Sequence, residues 1–376
     1  MELYIIIYIL LLSSCFFEKF ALSTKKIVLF FWMVVFTLLG GLRWKTGGDW
    51  HQYYTYFQNV SWSLEDIFHY RRPGADRAIL EPGFVFVNLV IKSLFNEFWI
   101  YNIITGAFVQ YTYCKFCLHF SPKLPIMMYV LIIGMGMNSF MFVRSGLSVA
   151  VCYWAYIYIK ERRLFPFVLV VVAGGLIHRQ VLSLLPLYWI GKVNIKWWVY
   201  IIAYLCCMMF YAIFKEHITN MIMSINMDGD AASRLQMYTD EKTGQFGIKA
   251  LVFRWVMYLG ILCVFLYVRY IYKMERDFWY NTLLAGYFVV IFSVTIFTEG
   301  MTTLARFTAA YKPSRTILIM VSFTLLTKYR NKLTNNIVAY SLYWGLCFFN
   351  IYKELTSPMF RLCFIPYKSI FDFNLI

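Results

Sequence analysis

Stretches of about 15 to 22 apolar residues recur from one end of this 376-residue chain to the other, and a helix needs about 20 to cross the hydrocarbon core of a bilayer. They leave no interval for a soluble domain. Hydrophobic residues make up 61% of the chain and charged residues 14%, against about 45–50% apolar content in soluble domains. The expected fold is therefore all-α and polytopic, a single integral membrane domain over residues 1–376 with about 12 transmembrane helices and one partial or re-entrant segment. No low-complexity linker or short-period repeat interrupts it. The opening "MELYIIIYILLLSSCFFEK" lacks the positive n-region and small-residue cleavage site of a signal peptide, so it reads as a retained first helix.

Orientation follows from the short loops, because cytoplasmic loops carry an excess of lysine and arginine. "EKFALSTKK", "KERR", "GKVNIK", "RYIYKMERD", "KYRNK" and "KFCLHFSPK" are placed inside. The parity of crossings then makes one apolar segment partial. "EPGFVFVNLVIKSLF" is the best choice, being short, carrying Lys92 and having Pro82 placed for a first helical turn. With that adjustment Arg43, Asp49, Glu81, Arg144, His178, Arg179, Glu299 and Arg306 all fall at or just beyond the same non-cytoplasmic face. Ionisable groups at helix ends near lipid are costly to desolvate and often mark substrate sites.

The outward loops, about 43–81 and 215–247, also hold Arg71, Arg72, Arg77, Lys215, Arg234 and Lys242, and Lys249, Lys312 and Arg315 follow on the same face. Positive charge where the inside rule predicts depletion points to an anionic ligand. The formal net charge of +16 suits anionic lipid or phosphate better than nucleic acid, for which the chain offers no extramembrane surface. Arginine suits phosphate because its rigid fork donates paired hydrogen bonds. Trp44, Trp50, Tyr53, Tyr54, Tyr56, Phe57 and Trp62 crowd the first outward loop, where flat rings stack on sugars or form an interfacial belt. Cys114 and Cys117 form a C-x-x-C with no second pair at zinc spacing, and the acids of "DGD" at 228–230 suit an ordinary turn. Neither a metal nor a cofactor is expected.

"LRWKTGGDWHQYYTYF", "EPGFVFVNLV", "FVRSGLSVAVCYWAYIYIKERRLFPFVLVVVAGGLIHRQVLSLLPLY", "RLQMY", "TLARFTAAY" and "IPYKSIF" resemble, in order, the pattern of EpsG-like, Wzy-type polysaccharide polymerases. The likeness covers most of the chain. The sequence departs from that pattern with Ser145 after Arg144, Arg179 and Gln180 after His178, and Gly48 before Asp49. The resemblance implies a fold like that of lipid-linked (GT-C-like) glycosyltransferases. It also implies that polyprenyl-diphosphate-linked oligosaccharides, as donor and acceptor, are polymerised at the outer face of the bacterial inner membrane. Chain-length regulator and flippase proteins are the implied partners.

On that reading Arg43, Arg144, Arg179 and Arg306 bind diphosphate. His178, Asp49, Glu81 and Glu299 are the candidate acid–base groups, since imidazole ordinarily titrates nearest neutrality and carboxylates are the alternative. Trp44, Trp50, Tyr53, Tyr54, Arg234 and Tyr238 contact glycan. Plainer roles stand beside these: a helix-end histidine bonded to a backbone carbonyl, a loop or cap residue at Asp49, a first-turn acid at Glu81, and snorkelling arginines. Competing functions are another multispanning transferase, acyl- or polyprenyl-phosphate-sugar-dependent, and a lipid-linked oligosaccharide flippase.

Overall fold

The computed structural model describes residues 1–69, 80–134, 143–224, 248–296, 304–328 and 333–375. Among them the regular structure is helical, with one isolated antiparallel β-bridge between Arg43 and Ser369. The chain divides into two compact units, one holding most of residues 1–179 together with 319–376, the other Gln180–Leu318.

The first unit runs through α1 (Glu2–Ser13), α2 (Leu22–Gly41), α3 (Trp50–Asn59), α4 (Leu64–His69), α5 (Pro82–Phe95), α6 (Phe98–Phe120), α7 (Pro125–Gly134), α8 (Val143–Lys160) and α9 (Leu164–Ile177). In α6 the usual amphipathic logic is inverted: Asn102, Thr105, Gln110 and Thr112 are buried, whereas Ile104, Phe108 and Tyr111 are exposed. Spacing of four and three residues puts those three on one stripe, the arrangement expected of a helix whose outer surface meets lipid. The Gln110 side chain accepts a hydrogen bond from Tyr129 at 2.6 Å, and Thr112 accepts one from the Trp154 indole at 3.1 Å, so polar groups of α6 tie it to α7 and α8.

The second unit contains the short α10 (Leu187–Ile190), then α11 (Trp197–Ser224), α12 (Ile248–Ile271) and α13 (Phe278–Ile296). Its buried Arg269 donates to the Ile195 carbonyl and the Asn194 side chain, both at 2.8 Å, and to the Glu275 carbonyl at 3.1 Å. These bonds tie the C-terminal end of α12 to the turns preceding α11 and α13. Beyond α14 (Lys312–Lys328), which passes from one unit into the other, the chain continues through α15 (Leu333–Thr356) and α16 (Pro358–Phe364).

By length and apolarity four helical segments among the described residues can cross a membrane: Leu22–Gly41, Trp197–Phe214, Leu251–Ile271 and Phe278–Ile296. This is an integral membrane protein. The count falls below the expected dozen partly because helices such as α6 dilute their apolar surface with inward-facing polar residues, and partly because α5, α7 and α9 are shorter. The 14-residue α5 is about 21 Å long, short of a full crossing. The apolar stretch expected over 181–190 forms a short 3₁₀ helix, Arg179–Leu184, and the four-residue α10, not one continuous helix. The outward loop expected over 43–81 contains α3 and α4; α3 forms because Trp50, Tyr53, Tyr54 and Phe57 share a face that packs on Phe84 and Phe98.

α5 and α9 pack together at Gly83, where an added Cβ would stand 2.8 Å from the Leu176 Cβ and 2.9 Å from its carbonyl carbon. Small residues let helix backbones approach this closely. Gly83→Ala is expected to cost about 1–3 kcal/mol through overpacking, read as a lowered thermal midpoint of the protein in detergent. An unchanged midpoint would show that α5 and α9 separate freely.

A candidate anion site at the helix ends

The first unit gathers five of the sequence-predicted residues at helix ends. Arg43 follows α2, Asp49 is the N-cap of α3, Glu81 the N-cap of α5, Arg144 lies in the first turn of α8 and His178 is the C-cap of α9. What seats them is a mostly aromatic core. Trp50, Phe57, Leu80, Phe84, Phe98, Tyr101 and Val143 belong to it, with Trp44, Tyr53, Tyr54 and Ile177 packed against it. Two members and two residues packed against them are chain neighbours of the polar residues: Leu80 of Glu81 and Val143 of Arg144, Trp44 of Arg43 and Ile177 of His178. One hydrophobic cluster thereby fixes the backbone of four ionisable groups drawn from distant parts of the chain.

Glu81 is the hub. Its Oε2 accepts from Arg144 Nη1 at 3.0 Å, and its Oε1 lies 3.2 Å from His178 Nδ1 and accepts the Arg179 backbone N–H at 3.3 Å. The Glu81 side chain is 8% exposed, and those of Arg144 and His178 are 20% exposed. The pairing answers a local problem: a cation in the first turn of α8 opposes the helix dipole, and the Glu81 carboxylate offsets it. Burial pushes the Glu81 carboxyl upward, but the hydrogen bond from His178 and the Arg144 charge outweigh it and hold the group at about 2.

The carboxylate thus stays ionised near neutral pH, too weak a base to take a hydroxyl proton efficiently. It is well placed to orient one. With Oε1 beside Nδ1, the ring proton is assigned to Nδ1, which leaves Nε2, unbonded among the described residues, as the basic nitrogen. A carboxylate that fixes the tautomer and supports the imidazolium is the working logic of acid–base dyads in general.

Arg43 is held differently. It is 3% exposed, and among the described residues no carboxylate stands within ion-pair distance of it. Burial lowers its guanidinium to about 10, partly offset by Tyr367, Tyr4 and Asp49. The C-terminal segment straps its loop: the Trp44 N–H donates to the Lys368 carbonyl at 2.8 Å, Ile370 N–H to Leu42 at 2.9 Å and Gly47 N–H to Cys363 at 2.7 Å. Gly47 has φ +113°, and a Cβ there would approach Arg43 Nη1 to 3.2 Å, so both backbone conformation and room for the guanidinium favour glycine.

The Asp49 carboxylate makes no capping bond. The Arg179 side chain is exposed, so only its backbone is committed to Glu81. Trp50 is 2% exposed and stacks on Tyr54 at 5.0 Å, so it supports neighbouring rings instead of presenting a free face; Trp44, Tyr53 and Tyr54 are half-buried. Arg234, Tyr238, Glu299, Arg71, Arg72, Arg77, Lys242, the "DGD" turn and the side chains of Arg306, Lys215 and Lys249 lie outside the described residues. Sequence reading did not single out Gly47, Tyr367 or Lys368 as site residues; the "IPYKSIF" match was the only signal pointing to the last two.

A polytopic helical membrane protein with arginines and a carboxylate-oriented histidine at its helix ends is the class that this architecture defines. The chain belongs to the EpsG family, whose model matches residues 26–369. That family is associated with glycosyl transfer in polysaccharide synthesis. No curated protein and no solved structure matches the chain.

The Glu81 clasp predicts a pH dependence of stability. Its folded carboxyl lies below the ordinary value of 4.5, so its contribution is full above that value and is lost as pH falls toward about 2. Glu81→Gln should cost about 1.5–3 kcal/mol at neutral pH and flatten the loss of thermal midpoint as pH falls from 4.5 toward about 2. A variant with the wild-type acid profile would show that the clasp is not the titrating element.

Proposed function

We propose that this protein polymerises polyprenyl-diphosphate-linked oligosaccharide repeat units by glycosyl transfer at the outer face of a bacterial inner membrane. The observation that carries the reading is the joint seating of Arg43, Glu81, Arg144 and His178 on one aromatic core, in a chain of the EpsG family. An anion-attracting pocket beside an oriented imidazole suits a reaction in which a diphosphate departs as a hydroxyl attacks.

In this reading the acceptor hydroxyl gives its proton to His178 Nε2 as its oxygen bonds to the anomeric carbon of the donor. The bond from that carbon to the diphosphate oxygen breaks, and the carrier diphosphate leaves with the electron pair. Arg43 has no carboxylate within ion-pair distance among the described residues and is the principal electrostatic support for the leaving group. Arg144 contributes the N–H groups that Glu81 does not engage, and Arg179 and Arg306 are the further cations. Asp49 and Glu299 remain as carboxylates that orient sugar hydroxyls, and Trp44, Tyr53, Tyr54, Arg234 and Tyr238 as glycan contacts. Membrane lipid surrounds the carrier tails, and chain-length regulator and flippase proteins are the expected partners.

The test is glycan chain-length profiling in a deletion strain complemented with wild type, His178→Ala, Arg43→Ala or Arg144→Ala, with protein levels checked by blot. Wild type is expected to restore long polymer. Removing the base should slow elongation by about 10²–10⁴-fold and leave single carrier-linked units, and the arginine variants should shorten the polymer. Normal polymer from His178→Ala would remove the imidazole from the chemistry. Units held on the cytoplasmic side would replace polymerisation with flipping.

A further inference from the structure

Arg43 has a second environment, on the side facing α6. A cavity of about 10 Å³ is lined by Gly40, Arg43, Asn102, Thr105, Val143 and Leu147, among others. Arg43 and Asn102 are 3% and 5% exposed, and each carries a buried donor, Nε of Arg43 and Nδ2 of Asn102, with no hydrogen-bond partner among the described residues. Leaving such a donor unsatisfied costs about 1–3 kcal/mol. Two residues that line one cavity each hold an unsatisfied donor, and an acceptor between them would satisfy both.

Size and chemistry choose it. A cavity needs about 10–15 Å³ to admit one water, and a phosphate group is several times too large. Thr105, 7% exposed, donates its hydroxyl proton to the Tyr101 carbonyl at 2.8 Å, so its oxygen offers lone pairs to the cavity. A water placed there would accept from Arg43 and Asn102 and donate to Thr105, about the three bonds usual for buried water.

We propose that Asn102 is a positioning residue, which fixes the Arg43 guanidinium through a single buried water. The guanidinium is a rigid plane, so fixing Nε sets where both terminal nitrogens point. The effect on ligands rests on the reading of Arg43 as a diphosphate ligand. Asn102 itself touches no substrate: it is buried in α6, and its effect passes through Arg43.

The test is titration of the full-length protein in detergent with inorganic pyrophosphate, with thermal unfolding as the control for folding. Asn102→Leu removes the donor and should weaken binding about fivefold to tenfold, the scale of one lost buried hydrogen bond. Asn102→Asp keeps the shape but places a carboxylate beside Arg43 and should weaken binding more than Asn102→Leu does, because the carboxylate competes with the anion for Arg43, an effect that a packing role does not produce. Asn102→Ser keeps a donor and should restore most of the affinity.

Wild-type affinity in the Leu and Asp variants, alongside lost binding in Arg43→Ala, would overturn the role of Asn102 alone. Wild-type affinity in Arg43→Ala would overturn the diphosphate reading of Arg43, and the positioning role with it. Loss of the folded protein in all three Asn102 variants would make Asn102 a structural residue and reject the proposal.

Discussion

A cation buried at the end of an apolar helix has to find something to satisfy it, and the two central arginines of the first unit meet that requirement in different ways. Arg144 takes a carboxylate: Glu81 stands 3.0 Å away and is itself held by the His178 ring and the Arg179 backbone. Arg43 has no carboxylate within ion-pair distance among the described residues and lies in a loop strapped by the C-terminal segment. Removing one partner of a largely buried pair leaves a charge poorly compensated, so Arg144 and Glu81 stabilise each other. Arg43 already carries its charge without such a partner, and an incoming anion has no internal carboxylate to displace.

The aromatic cluster gives this arrangement its stiffness. Hydrogen bonds at helix ends orient side chains only if the backbones beneath them are fixed. Here Trp44, Leu80, Val143 and Ile177 bring the backbones of four polar residues to one core. Trp50 stacked on Tyr54 and Phe98 stacked on Tyr101 form its centre, and rings of this size contribute large buried area at small entropic cost. At the opposite end of α2, about 30 Å away for a 20-residue helix, Lys25 pairs with Glu18 at 3.3 Å and donates to the Lys123 carbonyl. The polar chemistry of the first unit is thus anchored at both ends of a helix whose middle is apolar.

Much of this was legible in the sequence, for physical reasons. Apolar stretches of membrane length announce helices, and Pro82 after Glu81 marks the start of α5, because proline suits the first helical turn. The charged residues at segment ends were recognisable as exceptions to an apolar pattern. Their pairing was not: Glu81 lies 63 residues from Arg144 and 97 from His178, and no spacing rule connects residues that far apart. Glu81 was therefore read as a possible base and Arg144 as a free ligand, whereas each occupies the other. α3 was missed as a helix because its burial comes from aromatic rings spaced among polar residues, with no long apolar run. Asn102 drew no notice because one amide in a long hydrophobic helix looks the same whether it faces lipid, a partner or a cavity.

The same pairing makes the Glu81 carboxylate a weak base. Three donors on one carboxylate, from Arg144, His178 and Arg179, stabilise its anion and so lower its affinity for a proton. The same carboxylate holds the His178 ring through Nδ1 and the Arg144 guanidinium through Nη1, so one anion fixes the orientation of both. With Glu81 between them, an oriented imidazole and a cation share one carboxylate, and that is the arrangement on which the proposed transfer to a hydroxyl with departure of a diphosphate relies.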